Sequence, residues 1–269
     1  MPEEPVVLYL VFPFLNEADN LPSLLHGIEM FSDNHPEYSV KVLAIDDGST
    51  DGGASILNDH RGQCEIEVVV NEANLGPGRS FARAFSKLKP RLRSEDLVVT
   101  MEADNTSGLG MVSRMLVRER EGYDVILASP YAYGGGFEQV SFFRVLVSHV
   151  ANALVKVVLN IHGLTVFSSF FRLYRGGIIR RLQMIYGPEI IESPGFECMV
   201  ELLYKLALLR ARISEIEYRV DWGKRRGKSK MKILRTVKGY FRVFASCSRW
   251  RLAAAKVTTE DTEGKRGGS

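Results

Sequence analysis

Val42 to Leu57 reads VLAIDDGSTDGGASIL, an apolar run that stops at two carboxylates, Asp46 and Asp47, and turns through Gly and Ser into a short helical pattern. Such a run is the sequence of a strand buried on both faces of a parallel sheet. Further along, VVTMEADNTS (Val98 to Ser107) repeats the arrangement and ends in Glu102 and Asp104. In an open α/β sheet, ligands lie beyond the carboxyl ends of the strands, so the four carboxylates are expected to share one crevice. Their mutual repulsion there calls for a cation, for donors from a ligand, or for both. That is the chemistry of a metal-bound nucleotide.

Outward from these two segments, strands and helices alternate. Val6 to Phe12 reads as a strand, Glu17 to Phe31 as a helix, Val42 to Ile45 as a strand, Thr50 to Asn58 as a short helix and Glu65 to Val70 as a third strand. Phe81, Ala84, Phe85 and Leu88 follow at i, i+3, i+4, i+7, one apolar face of a helix. Leu97 to Thr100 and Val125 to Ser129 add two strands, separated by a helix from about Leu109 to Glu121. The pattern predicts a largely parallel sheet with right-handed crossovers and helices on both faces, an α/β fold of the Rossmann-like kind.

The bulk properties agree. A chain of 269 residues, 45% hydrophobic and 25% charged, can bury a full core and is not a disordered protein. Cys64, Cys198 and Cys247 are far apart and show no metal-ligand spacing, so neither a disulfide nor a zinc site is expected, and a reducing compartment is. MPEEP runs straight into a strand without the charged and apolar regions of a secretory signal. The net charge of +3 hides an asymmetry, because Lys224 to Arg251 holds eleven Lys or Arg and no Asp or Glu. An acidic body therefore ends in a basic block, which is either a solvated helix or a face for an anionic partner. No nucleic-acid module is recognisable in it, and no nucleic-acid partner is expected.

The second half changes character after Gly134 to Gly136. VSFFRVLVSHVANALVKVVLNI (Val140 to Ile161) is apolar but carries Arg144, Ser148, His149, Asn152 and Lys156, too many polar groups for a membrane span. It reads as an amphipathic helix, either buried against the sheet or lying partly in a membrane interface. VFSSFFRLYR (Val166 to Arg175) is strand-like, Phe196 to Leu209 helical, and ISEIEYRV (Ile213 to Val220) alternates as an edge strand. GKRRGKSKMK (Gly223 to Lys232) is a basic loop, and the segment after it mixes Ile233, Val237, Tyr240, Phe241, Phe244 and Trp250 with basic residues, as a helix on a membrane surface does. The expected organisation is one domain over residues 1–222, a basic loop and amphipathic membrane-surface helix over 223–252, and a disordered tail over 253–269.

Several ordered motifs give the chain a family likeness. PFLNE (Pro13 to Glu17), IDDGSTDG (Ile45 to Gly52), NLGPGRSFARAF (Asn74 to Phe85), EADN (Glu102 to Asn105), FFRVLVSHVAN (Phe142 to Asn152), SSFFRLYR (Ser168 to Arg175) and GKSK (Gly227 to Lys230) occur in sequence. In this the chain resembles inverting family 2 glycosyltransferases of the GT-A fold, and among them the polyprenyl-phosphate sugar synthases of the dolichol-phosphate mannose synthase kind. The resemblance covers about Val6 to Lys232. It implies transfer of a hexose from a nucleotide diphosphate sugar, of the GDP-mannose or UDP-glucose type, to a polyprenyl (dolichyl-type) phosphate.

The resemblance also implies roles. Pro13, Asn16, Glu17, Asp46 and Asp47 would contact base and ribose, since carboxylates accept from ribose hydroxyls and base N–H groups. Gly76, with Gly78, would let backbone approach the ligand at a helix N-terminus, or would simply form a turn. Glu102, Asp104 and Thr106, with Ala103 between the two carboxylates counted among the donor-contacting positions, would hold Mg²⁺ or Mn²⁺ against the diphosphate. A lipid phosphate acceptor is already anionic and needs cationic guides, which Arg144, Arg172, Arg226 and Lys230 would supply, Arg forks matching phosphate oxygens. The enzyme would sit peripherally on the cytoplasmic face of a membrane, bound to an anionic surface, with recruitment by a small membrane subunit left open.

The chain departs from the family pattern at informative places. Glu102 stands where Asp is usual, Thr106 where Gln is common, Lys224 and Leu15 where Arg and Tyr are usual, and SPY (Ser129 to Tyr131) puts Pro130 in place of an acceptor-side arginine. A hydroxyl acceptor, a saccharide or small alcohol, would instead need a general base, and Glu197 is the candidate if it faces the crevice rather than capping or flanking its helix. A noncatalytic nucleotide-sugar-binding scaffold docked to membranes is the alternative of another class.

Overall fold

The computed structural model describes residues 4–139, 149, 152–153, 155–221, 223 and 233–264. The strands are β1 (Val6–Phe14), β2 (Tyr38–Asp46), β3 (Glu65–Val70), β4 (Leu97–Thr100), β5 (Val125–Ser129), β6 (Gly136–Glu138), β7 (Arg172–Arg175), β8 (Ile213–Glu217) and β9 (Arg219–Asp221). The helices are α1 (Leu21–Asn34), α2 (Gly53–Asn58), α3 (Pro77–Leu88), α4 (Gly110–Arg120), α5 (Gly176–Tyr186), α6 (Cys198–Leu208) and α7 (Ile233–Gly264). Seven strands form one sheet in the order β3-β2-β1-β4-β7-β5-β8, parallel except for β7, which runs antiparallel to both neighbours; β6 and β9 pair separately.

Alternation along the strands sorts the core into two layers. Leu8, Leu10 and Phe12 of β1 face one side with Val42 and Ala44 of β2, and they pack with Leu21, Leu25 and Ile28 of α1 and Met115 of α4. Tyr9 and Val11 face the other side with Leu43 and Ile45, packing with Phe81 and Phe85 of α3 and with residues of α5, α6 and α7. Period-two side chains on strands covered on both faces produce the near-continuous apolar runs of the sequence. The α/β expectation, with helices on both faces of a mostly parallel sheet, is met.

Three elements differ from the expectation. Strand structure in Val166 to Arg175 is confined to β7, and α5 follows it directly where the sequence pattern gave no helix. β8 is the sheet edge as expected, but the alternating segment breaks after Glu217 and β9 leaves to pair with β6. The expected boundaries at 222 and 252 do not divide the packing: α7 runs on to Gly264, and its Tyr240, Val243, Cys247, Trp250 and Ala254 enter the same core as α5 and α6. Those five positions fall on one helical face, which explains why the segment folds onto the domain. Among the described residues no helix is long and apolar enough to cross a membrane.

Candidate active site

β2, β1 and β4 are neighbours in the sheet, so their carboxyl ends open side by side. Three loops cross that edge and bind one another. Asn16, in the left-handed region at φ 50°, accepts from Thr50 N (2.8 Å) on Oδ1 and donates its own N–H to Ser49 Oγ (2.9 Å). Asp51 accepts from Ala18 N (2.7 Å), and Asn105, also left-handed at φ 63°, donates from Nδ2 to Asn20 O (3.0 Å). Asn is the non-glycine residue that best tolerates this conformation, so the two asparagines fix the loop turns. Pro13 stands opposite Ile45 just before the β1 end, and Glu17 is buried with its carboxylate accepting from Asn20 Nδ2.

The two strand-end aspartates differ in use. Asp46 is buried and accepts from Ser49 N (2.7 Å) on Oδ1. Asp47, also buried, accepts from Leu75 N and Asn71 Nδ2 on one oxygen (2.9 and 3.0 Å) and from Gly76 N on the other (2.9 Å). Its carboxylate thus holds the 71–76 loop to the end of β2. Gly76 and Gly78 likewise serve an intramolecular approach. Gly76 has φ 93° and a Cβ there would lie 2.4 Å from Pro194 O, while one on Gly78 would lie 1.9 Å from Ser193 O. Gly78 N already donates to Pro194 O (2.9 Å), so this amide of the α3 N-terminus is satisfied by protein, not left for a ligand.

Beyond β4, Glu102 is half-buried and Asp104 is buried, with Ala103 between them directed into the core beneath. Thr106 donates from N (3.1 Å) and from Oγ1 (2.5 Å) to Asp104 Oδ1, so its hydroxyl hydrogen orients Asp104. Tyr218, which follows β8, belongs to this neighbourhood: burial pushes its phenol well above the usual range, and the charges of Glu102, Asp104 and Asp221 push it further, against a hydrogen bond at the Gly108 backbone. No sequence signal marked Tyr218 or Asp221. Hard oxygen donors from two carboxylates suit Mg²⁺ or Mn²⁺, which keep waters and take phosphate oxygens for the rest of the shell. Among the described residues no group of three or more His, Cys, Asp or Glu stands together as a metal cage.

The acceptor-side candidates are placed unevenly. Arg144, Arg226 and Lys230 lie outside the described residues, as do Ser148, Arg225 and Ser229. Arg172 is fully buried, and its guanidinium donates to Ser169 O (2.7 Å), Met199 O (3.0 Å) and Phe167 O (2.7 Å). It latches the 167–171 segment to α6; with three carbonyls around it, it is not the open phosphate clamp read from the sequence. Glu197 is buried at the N-cap of α6, accepts from Gly195 N (3.3 Å) and faces Gly239 of α7, where a Cβ would come within 2.3 Å of its Cδ. It lies in the α6–α7 contact and flanks the start of its helix without a side-chain cap hydrogen bond.

The long amphipathic segment is helical at 149, 152–153 and 155–159, with Val155 and Leu159 buried and Val157 exposed. His149 meets Tyr131 edge-on at 4.7 Å. The aromatic, basic helix is corrected in part. Tyr240 and Trp250 are core residues of α7, and burial and a nearby Glu197 push the Tyr240 phenol up to about 12 despite a hydrogen bond with Ser168. Its outward face retains Val237, Phe241 and Leu252 beside Lys238, Arg242 and Lys256.

Residues 9–182, more than half of the chain, match the Glycosyl transferase family 2 model, and the chain belongs to that family of enzymes. It is 24% identical over 199 residues, 73% of this chain and 70% of the relative, to a polyprenol monophosphomannose synthase of Mycolicibacterium smegmatis. It is 27% identical over 176 residues, 64% of this chain, to an undecaprenyl-phosphate 4-deoxy-4-formamido-L-arabinose transferase of Serratia proteamaculans, of which it spans about half (50%). In structure it resembles the glucosyl-3-phosphoglycerate synthase of Mycobacterium tuberculosis, solved with Mn²⁺, UDP and phosphoglyceric acid, at a TM-score of 0.57 and 16% identity over 93% of this chain and 77% of that one. The fold is thus the GT-A glycosyltransferase fold.

Proposed function

We propose that this protein transfers a hexose, with inversion, from a nucleotide diphosphate sugar to a polyprenyl phosphate, and does so at the surface of a membrane. The observation that carries this reading is the placement of Asp46 at the end of β2 and of Glu102 and Asp104 after β4, on either side of the β1 end, in a chain whose named relatives include a polyprenol monophosphomannose synthase. Glu102 and Asp104 would hold the divalent ion, which when bound supplies positive charge against the leaving diphosphate. Asp46 and Glu17 are the carboxylates nearest the β1 and β2 ends that could accept from the nucleoside, and Thr106 keeps Asp104 oriented.

A phosphate acceptor needs no proton removed before it attacks the sugar. That suits an arrangement in which Glu197, the candidate base, is held in the α6–α7 contact. Contact with the membrane would fall to the outward face of α7, where apolar Phe241 and Leu252 stand among cations.

The test is donor turnover with Mn²⁺, using GDP-mannose and UDP-glucose, with and without a short polyprenyl phosphate. Lipid-extractable product that requires the lipid phosphate, and that disappears in Glu102→Ala/Asp104→Ala, supports the reading. Turnover onto a hydroxyl acceptor that Glu197→Gln abolishes would replace it, and a folded protein that binds nucleotide but turns over no donor would point to a scaffold.

A further inference from the structure

Glu192 lies on the segment between α5 and α6, far in sequence from the loops that build the crevice, yet it joins two parts of the molecule. On one side it holds α7: Trp250 Nε1 donates to Glu192 Oε1 (2.8 Å), Arg249 pairs with the other oxygen, and the buried Lys205 Nζ lies 3.4 Å from Oε1. On the other side its own N–H and that of Ser193 donate to the buried Glu201 carboxylate (2.9 and 2.8 Å), which pins the 192–193 backbone to α6. The next carbonyls along, of Ser193 and Pro194, form the wall against which Gly76 and Gly78 pack with no room for a Cβ. The same turn is fixed from the opposite side by Asp47 through Leu75 N and Gly76 N.

The 75–78 turn is therefore clamped between Asp47 and a wall whose position is set by Glu192 and Glu201. Backbone contact closer than a Cβ allows leaves the turn no freedom to adjust if the wall shifts. Burial raises the Glu192 carboxyl, but the Trp250 hydrogen bond and the charges of Lys205 and Arg249 outweigh it, so the group stays ionised and able to hold all three partners at neutral pH.

We propose that Glu192 is a positioning residue for donor binding, coupling the seating of α7 on the domain to the order of the 75–78 turn beside the nucleotide crevice. This rests on the reading of that crevice as the donor site. Because the cationic outward face of α7 is also the face proposed to meet a membrane, docking of the helix and readiness for donor become one linked equilibrium.

The experiment compares wild type, Glu192→Gln, Trp250→Phe and the double variant in the full chain. Trp250→Phe removes the donor N–H while keeping a ring beside Lys205. UDP and GDP binding is measured by calorimetry with Mn²⁺, and hydrogen exchange is followed in the peptide covering Asn71 to Phe81 without ligand. Tyr204→Phe is the control, since it loosens α7 elsewhere, at the Arg251 Nε contact with the Tyr204 hydroxyl.

Both single variants should weaken nucleotide binding by about fivefold, part of what one hydrogen bond to a charged group is worth. The double variant should be no worse than the weaker single, and exchange in 71–81 should quicken in all three but not in Tyr204→Phe. With a donor substrate, KM should rise with kcat little changed. Nucleotide affinity and exchange at wild-type values in folded Glu192→Gln and Trp250→Phe would overturn the coupling, as would equal losses in Tyr204→Phe. If wild type binds neither nucleotide, the donor-site reading fails by itself, and the exchange comparison then decides whether Glu192 orders the turn.

Discussion

Lys205→Met tests the physical basis of the wall beside the crevice. Lys205 and Glu201 have no exposed side-chain surface and meet at 2.6 Å, one helical turn apart on α6. Lys205 also donates to Ile190 O (3.0 Å) and lies against the rings of Tyr186 and Trp250, at 5.0 and 4.6 Å from their centroids. Removing one member of a buried ion pair costs about 3–5 kcal/mol, because the other charge is left without its partner in a low-dielectric site. Glu201 keeps the N–H groups of Glu192 and Ser193, so Lys205→Met should lie at the low end, near 3 kcal/mol by that scale. Glu201→Gln leaves the ammonium with a carbonyl, Glu192 and two aromatic faces and should cost less, about 2 kcal/mol. The double variant buries neither charge, so it should cost about 3 kcal/mol instead of the sum, a coupling of about 2 kcal/mol. Equilibrium urea unfolding of the four proteins measures this directly, provided the m-value is constant. Additivity within about 0.5 kcal/mol would refute the claim that the two charges depend on each other.

Gly78→Ala drives a Cβ into a backbone carbonyl that cannot swing aside, and overpacking of that kind should cost about 3 kcal/mol by urea unfolding, whereas Gly110→Ala, with open space around it, should change stability by less than about 1 kcal/mol. Arg172→Lys leaves three buried carbonyls with a single ammonium of the wrong shape; a loss of about 3 kcal/mol is expected without any acceptor present, and wild-type stability would show that the guanidinium is not a core latch. Asp96 is buried, which raises its carboxyl, but Arg93 and the N–H groups of Arg93 and Val7 outweigh this and hold it below the ordinary range. Its contribution is therefore complete above the unfolded value of about 3.9 and lost as pH falls through the folded one. Asp96→Asn should lower stability at pH 7 and flatten the fall below about pH 4 in a pH series of thermal melts.

Much of the fold was legible because its signals are local. β1, β2, β4 and β5 are apolar runs of strand length, and α3 shows its buried face in the spacing of Phe81, Ala84, Phe85 and Leu88. α5 was not legible for the same reason, and β7 was legible only as the end of the longer strand-like stretch Val166 to Arg175. Gly176 and Gly177 look like a loop, and Gly176 is needed where the chain passes the Arg93 carbonyl, 2.0 Å from where its Cβ would stand, a contact no local pattern reveals. The helix near the C-terminus carried two readings at once. Its aromatic and basic composition suggested a surface, while Tyr240, Val243, Cys247, Trp250 and Ala254 already had the spacing of a core face. Periodicity was the better guide, because composition does not say which side of a helix an aromatic residue occupies.

The site shows the same division between residue type and direction. Asp46, Asp47, Glu102 and Asp104 look alike as acids at strand ends, but Asp47 also accepts from three N–H donors of the neighbouring 71–76 loop, a loop-holding contact that sequence does not reveal. Such an acidic crevice sets what the proposed binding of a nucleotide diphosphate sugar would have to overcome. A diphosphate brought within about 6 Å of a carboxylate meets about 3 kcal/mol of repulsion per charge pair at an effective dielectric of 20. N–H donors stabilise the charge of Asp47 without removing it, so Asp46, Asp47, Glu102 and Asp104 would all contribute to that repulsion. The pair that would bind a divalent cation thus stands in a crevice that needs one. An acidic crevice for an anionic donor is then no contradiction, since the cation turns the repelling carboxylates into the anchor of the charge that binds the diphosphate.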